Sequence, residues 1–117
     1  MARILIVDDE PDIRFMMRLI LESAGHKVTD ARHGAAGLKS VRSAPPDLVI
    51  TDVMMPTMDG LEFIERLRSN PKTSAIPILV VSGNSEQATA ANARLGKPFL
   101  ARELLGAAAL LIREAGG

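Results

Sequence analysis

Cysteine, tryptophan and tyrosine are all missing from this chain of 117 residues, and phenylalanine occurs only three times. Without cysteine there is neither a disulfide framework nor a thiolate metal site, and the cytoplasm is the expected compartment. Without aromatic platforms the chain lacks the surfaces on which single-stranded nucleic acid stacks. Net charge is missing too, since 14 Lys and Arg balance 14 Asp and Glu. No overall field therefore draws the chain to a nucleic-acid backbone or an anionic membrane. No apolar run reaches the length of a membrane span, and the opening residues lack the form of a signal peptide. What remains is one soluble domain over residues 1–117, with an aliphatic core in which Met serves as filler.

Short apolar runs stand at residues 4–7, 28–31 (a weak one), 48–51 and 78–81. Three of them are rich in Ile, Leu and Val without polar alternation, the pattern of strands covered on both faces in a parallel sheet. Helical spacing lies between the runs. Ile13, Met16, Met17, Ile20 and Leu21 share one helical face, with Pro11 suited to the first turn and Gly25 to the position past the end. A short second helix, about residues 35–41, is stopped by Pro45 and Pro46. Asp59 caps a third, with Glu62 three residues on and Leu61, Ile64 and Leu67 along its length. Residues 85–95 and 103–115 read as two more helices, the last through Leu104, Leu105, Ala108, Leu111 and Ile112. Strand and helix alternate throughout, which predicts an α/β doubly wound parallel sheet flanked by helices.

Polar residues collect where the strands end: Asp8, Asp9 and Glu10 after the first, Asp52 after the third, and Ser82, Gly83 and Asn84 after the fourth. Ligands of open α/β sheets bind outside the carboxyl ends of the strands, so these residues are expected to converge. Clustered carboxylates repel one another unless a cation lies among them. Oxygen-only ligands favour Mg²⁺, with Mn²⁺ as a substitute, and Asp8 and Asp9 are its candidate ligands. Asp52 could both touch the metal and attack phosphorus, because carboxylates form aspartyl-phosphates. Ser82 offers a hydroxyl donor to a phosphoryl oxygen, and Lys97 offers a compact positive charge.

Four segments, in this order and each after its strand, carry a family resemblance: Val7-Asp8-Asp9-Glu10-Pro11, Asp52 through Gly60, Val81-Ser82-Gly83, and Lys97-Pro98-Phe99. Over nearly its whole length the chain resembles a response-regulator receiver domain of two-component signalling. The resemblance implies a flavodoxin-like, five-stranded parallel sheet in the order 2-1-3-4-5 with five helices. It implies Asp52 as phosphoacceptor, with Mg²⁺ held by Asp9 directly, by Asp8 through water, by Asp52 and by the backbone carbonyl of Met54. Ser82 then corresponds to the switch hydroxyl and Lys97 to its lysine partner. A histidine kinase or a His-containing phosphotransfer domain would be the donor, and a downstream protein effector the recipient of the signal. Direct nucleic-acid contact and membrane association are not expected, and the state would be a monomer or a weak, phosphorylation-dependent dimer. No output domain is visible in these residues. The alternatives are a pseudo-receiver that binds without phosphorylation, and an aspartyl-phosphate phosphatase. The second is disfavoured because Met54 stands where such enzymes carry an acid-base carboxylate.

The span from Ser82 to Lys97 is several residues shorter than the family's, and no aliphatic run precedes Lys97. The fifth strand and the helix before it are therefore the weak part of the expectation. A genuine shortening, an engineered deletion and a missing segment all fit, and the missing segment is favoured. No aromatic lies between Phe63 and Phe99, so the aromatic switch residue on the family's fifth strand has no counterpart. His26 and His33 read as exposed loop residues, and Met54, Met55 and Met58 as loop and core filler.

Overall fold

The computed structural model describes residues 2–53, 58–83 and 90–116. Five parallel strands run in the order β2-β1-β3-β4-β5: β1 (Arg3–Val7), β2 (Lys27–Ala31), β3 (Leu48–Thr51), β4 (Ile78–Val81) and β5 (Ala93–Leu95). Among the described residues there are four helices, α1 (Pro11–Ser23), α2 (Gly34–Ser43), α3 (Gly60–Ser69) and α4 (Ala101–Gly116). None is long and apolar enough to cross a membrane.

Apart from Arg3 at the start of β1 and Thr51 at the end of β3, the central strands are apolar because successive side chains serve opposite layers. Leu5 and Val7 of β1, Val49 of β3, and Ile78 and Val80 of β4 pack with Leu38, Val41, Phe63, Ile64 and Leu67 of α2 and α3. Ile4 and Ile6, Leu48 and Ile50, and Leu79 and Val81 pack on the other face with Met17 and Leu21 of α1 and Leu104, Ala108 and Leu111 of α4. A period of two combined with burial on both sides gives unbroken aliphatic runs.

Local signals set the helix ends. Pro11 opens α1, where its missing N–H costs nothing. The helix closes in a Schellman arrangement: Gly25 N–H donates to Glu22 O at 3.0 Å and His26 N–H to Leu21 O at 3.3 Å, with Gly25 at φ +89°. Asp59 caps α3, its Oδ1 accepting from Glu62 N–H at 2.9 Å.

Three sequence expectations are corrected. Residues 85–95 do not form one helix, because Ala93, Arg94 and Leu95 pair with Leu79, Val80 and Val81 as β5; residues 84–89 lie outside the described residues. The fifth strand forms within the span from Ser82 to Lys97 as it stands, without the missing segment that its shortness suggests. The two histidines are half-buried and carry structure: His33 Nδ1 caps α2 by accepting from Ala36 N–H at 3.1 Å, and His26 Nδ1 accepts from Ala2 N–H at 3.3 Å.

Candidate functional site

Three strand ends bring the polar residues together. Backbone pairing carries Asp8 and Asp52 to the same level, since Asp8 N–H donates to Ala31 O at 3.1 Å and Asp52 N–H to Val7 O at 3.0 Å. Behind Asp52 the start of α3 lies against the strand end, where Gly60 N–H donates to Val53 O at 2.7 Å. A Cβ on Gly60 would stand 1.8 Å from the carbonyl oxygen of Asp52, so only glycine lets the helix approach this closely.

Asp8 is fully buried and Asp52 nearly so. Lys97, from the loop after β5, reaches both: its ammonium lies 2.8 Å from Asp52 Oδ2, 3.0 Å from Asp8 Oδ2 and 3.3 Å from Glu10 Oε1. The second oxygens are held by the backbone, Asp52 Oδ1 by Val53 N–H at 2.6 Å and Asp8 Oδ1 by Glu10 N–H at 2.9 Å. Arg14 of α1 steadies the loop by donating to Asp8 O at 2.6 Å, and it also faces Asp30 of β2 at 3.6 Å.

The electrostatics follow from this burial. Desolvation is the dominant influence on Asp8 and pushes its carboxyl above the ordinary range, against the Glu10 N–H and the Lys97 charge, which pull it down. For Lys97 the largest single influence is again burial, which disfavours the ammonium. The hydrogen bonds to Asp52 and Asp8 and their charges together outweigh it and hold the group above the ordinary lysine range. The pairing thus favours the charged form of both groups, and burial opposes it, prevailing at Asp8 and not at Lys97.

Oxygen atoms of Asp8, Glu10 and Asp52 all lie within 4.8 Å of one another, an arrangement able to hold a metal ion. The donors are all carboxylates, and the described structure already sets a cation, the Lys97 ammonium, among them. A hard divalent ion such as Mg²⁺ fits this chemistry. Asp9, expected from the sequence to be a direct ligand, is exposed and is not one of the three. Glu10 is the third member of this carboxylate group. Sequence reasoning grouped it with the acidic loop but assigned it no role, because only the turn geometry distinguishes it from Asp9. Ser82 is buried directly after β4, its N–H donating to Leu95 O at 3.1 Å. The backbone carbonyl of Met54 lies outside the described residues.

Known proteins similar to this chain identify its family and fold. Residues 4–108 match the family model of the response regulator receiver domain. The chain is 38% identical to the protein PilH of Pseudomonas aeruginosa over 74% of its own length and 72% of that protein. It is 34% identical, over 97% of its length, to the DNA-binding dual master transcriptional regulator RpaA of Synechocystis, of which it spans 50%. Among solved structures, the chemotaxis protein CheY4 of Vibrio cholerae superposes with a TM-score of 0.89 at 33% identity, covering 95% of this chain and 98% of that one. This chain belongs to the response regulator receiver domain family.

Proposed function

We propose that Asp52 is the phosphoacceptor of this receiver domain. The observation that carries the reading is the buried Asp8–Lys97–Asp52 bridge at the carboxyl ends of β1 and β3, which prepares one carboxylate for an incoming dianion. An Asp52 oxygen attacks the phosphorus of a phosphohistidine in line. The new P–O bond forms as the P–N bond breaks, and the imidazole nitrogen leaves with the electron pair of that bond. Phosphoryl transfer of this kind asks for positioning and charge neutralisation, and the ammonium of Lys97 supplies both close to Asp52.

Asp8, Glu10 and Asp52 would hold Mg²⁺, as would Asp9 and the Met54 carbonyl where family resemblance puts them. When bound, the ion neutralises charge on the phosphoryl oxygens. The donor would be a histidine kinase or a His-containing phosphotransfer domain of the cytoplasm. Lys97 would then turn from the carboxylates to the phosphoryl oxygens, and Ser82 would donate its hydroxyl to them. Movement of these two strand-end loops would alter the face presented to a downstream protein.

Incubation with acetyl phosphate or phosphoramidate and Mg²⁺, followed by intact mass measurement, is expected to show one added phosphate. The Asp52→Asn chain is expected to show none. A second reading, an interaction module that works unphosphorylated, draws on the shortened connection between β4 and β5. It would be the better account if the parent chain stayed unmodified at every donor concentration.

A further inference from the structure

The strand that delivers Lys97 is poorly specified by its own side chains. β5 has three residues, of which Ala93 and Leu95 are only half-buried and Arg94 is exposed. Register is set most firmly where one face is fully buried, and a slip of one residue moves the chain by about 3.3 Å and turns every side chain to the opposite face. Lys97 follows Leu95 by two residues. Such a slip would carry its ammonium out of reach of Asp52 and Asp8, now at 2.8 and 3.0 Å.

What fixes the start of β5 is polar. Arg68, at the end of α3, donates from Nε to Ala90 O at 3.2 Å, from Nη1 to Ser74 O at 2.9 Å and Ile76 O at 2.8 Å, and from Nη2 to Asn92 Oδ1 at 2.6 Å. The same Asn92 oxygen accepts from Ile78 N–H at 2.8 Å, and Asn92 N–H donates to Ile78 O at 2.9 Å. Asn92 therefore extends the β4–β5 ladder by one step through its side chain, and the planar guanidinium orients that side chain while satisfying three backbone carbonyls. Burial lowers the pKa of Arg68, consistent with a group engaged by the fold rather than a solvated surface charge.

We propose that Arg68 and Asn92 form a register lock for β5, a positioning pair that acts through the strand to hold Lys97 on Asp52 and Asp8. The functional half of this inference rests on Asp52 being the phosphoacceptor. One helix then braces both halves of the site. The N-terminal end of α3 abuts the Asp52–Val53 backbone through Gly60, and its C-terminal end secures the strand that brings the counter-charge.

The test uses the full chain with Arg68→Ala, Asn92→Ala and Asn92→Asp, the last retaining a side-chain oxygen acceptor. Amide hydrogen exchange is read at Asn92 and Ser82, which bracket β5, and at Leu5 and Ile6 of the central strands. Either alanine variant should lose about tenfold or more of the protection at Asn92 and Ser82 while Leu5 and Ile6 stay protected. Asn92→Asp should behave like the parent. Phosphorylation by acetyl phosphate with Mg²⁺ should slow roughly tenfold to a hundredfold in Arg68→Ala, yet Arg68→Ala should add no further loss in a Lys97→Met background. Unchanged protection, an Asn92→Asp chain as loose as Asn92→Ala, or an equal slowing with and without Lys97 would overturn the lock. A parent chain that takes up no phosphate would remove the Asp52 reading instead, and the exchange measurements, which need no phosphate, would still decide the lock.

Discussion

β4 and β5 are neighbours in one sheet and are specified by different physics. All four residues of β4 are buried, and its side chains alternate between the α2–α3 layer and the α1–α4 layer. A slip there would exchange the contents of two cores. β5 has no fully buried side chain, and hydrogen bonds at its two ends do what packing does for β4. The difference separates scaffold from adjustable part: the strands that present Asp8, Asp52 and Ser82 are anchored by apolar area, whereas the strand that presents Lys97 is anchored by groups that water can replace. Low local stability of this kind is typical of elements that move when a protein switches.

The comparison can be broken most severely from the central side. Gly60→Ala puts a methyl group into the Asp52 carbonyl, and relieving that overlap requires the end of β3 or all of α3 to shift. A loss of about 3 kcal/mol or more is expected in urea unfolding, the upper end of overpacking costs. The same variant should lose phosphate uptake, because the displaced backbone is that of Asp52.

Leu79→Ala and Leu95→Ala address the two strands directly with the same chemical change. Leu79 is 0% exposed, so its truncation should cost about 2–5 kcal/mol of global stability. Leu95 is only partly covered, and its truncation should cost about 1 kcal/mol. Its principal effect should be faster exchange of the Ser82 amide, which donates to Leu95 O. Equal global losses in the two variants would erase the proposed distinction between the strands.

The smallest expected effect sharpens the contrast by showing what the rigid strands tolerate. Asp8 has a folded pKa raised above its ordinary value of 3.8, so its ionised form weighs against folding at neutral pH. Asp8→Asn should therefore raise the thermal midpoint of the metal-free chain at pH 7, by no more than about 4 °C, because the Lys97 pairing it gives up offsets part of the burial. The penalty fades with acidity. Protons bind the folded parent more readily than its unfolded chain, so the parent regains stability as pH falls through the raised value, and it has recovered fully below the unfolded one. The advantage of the Asn variant should shrink over that interval in thermal scans at successive pH values. A lower midpoint for Asp8→Asn at pH 7 would show that the Lys97 pairing outweighs the burial.

Most of the scaffold was legible because its signals are local. Aliphatic runs marked β1, β3 and β4, Pro11 and Gly25 bracketed α1, and Asp59 with Glu62 opened α3. Asp8, Asp52 and Ser82 stood out because each follows an aliphatic run, and Lys97 through its charge and the Lys97-Pro98-Phe99 resemblance. The misread parts share a cause. Ala93-Arg94-Leu95 has no periodicity a reader could use, being too short to alternate and buried too little to be aliphatic. Arg68 looked like any basic residue in the last turn of a helix, and His33 gave no sign that its ring would cap α2.

The chain by itself determined the alternation of strands and helices as far as β4, the covering of the sheet on both faces and the set of acidic and hydroxyl side chains that gather at those strand ends. Those follow from the spacing of apolar residues and from the rule that parallel strands need covered crossovers. Only the tertiary structure decided that Glu10, and not Asp9, joins Asp8 and Asp52 around the Lys97 ammonium, and that residues 93–95 form a strand at all. Both depend on hydrogen bonds between residues far apart in sequence, such as Lys97 with Asp8 and Arg68 with Asn92. Partners at such distances leave no local pattern in a linear sequence.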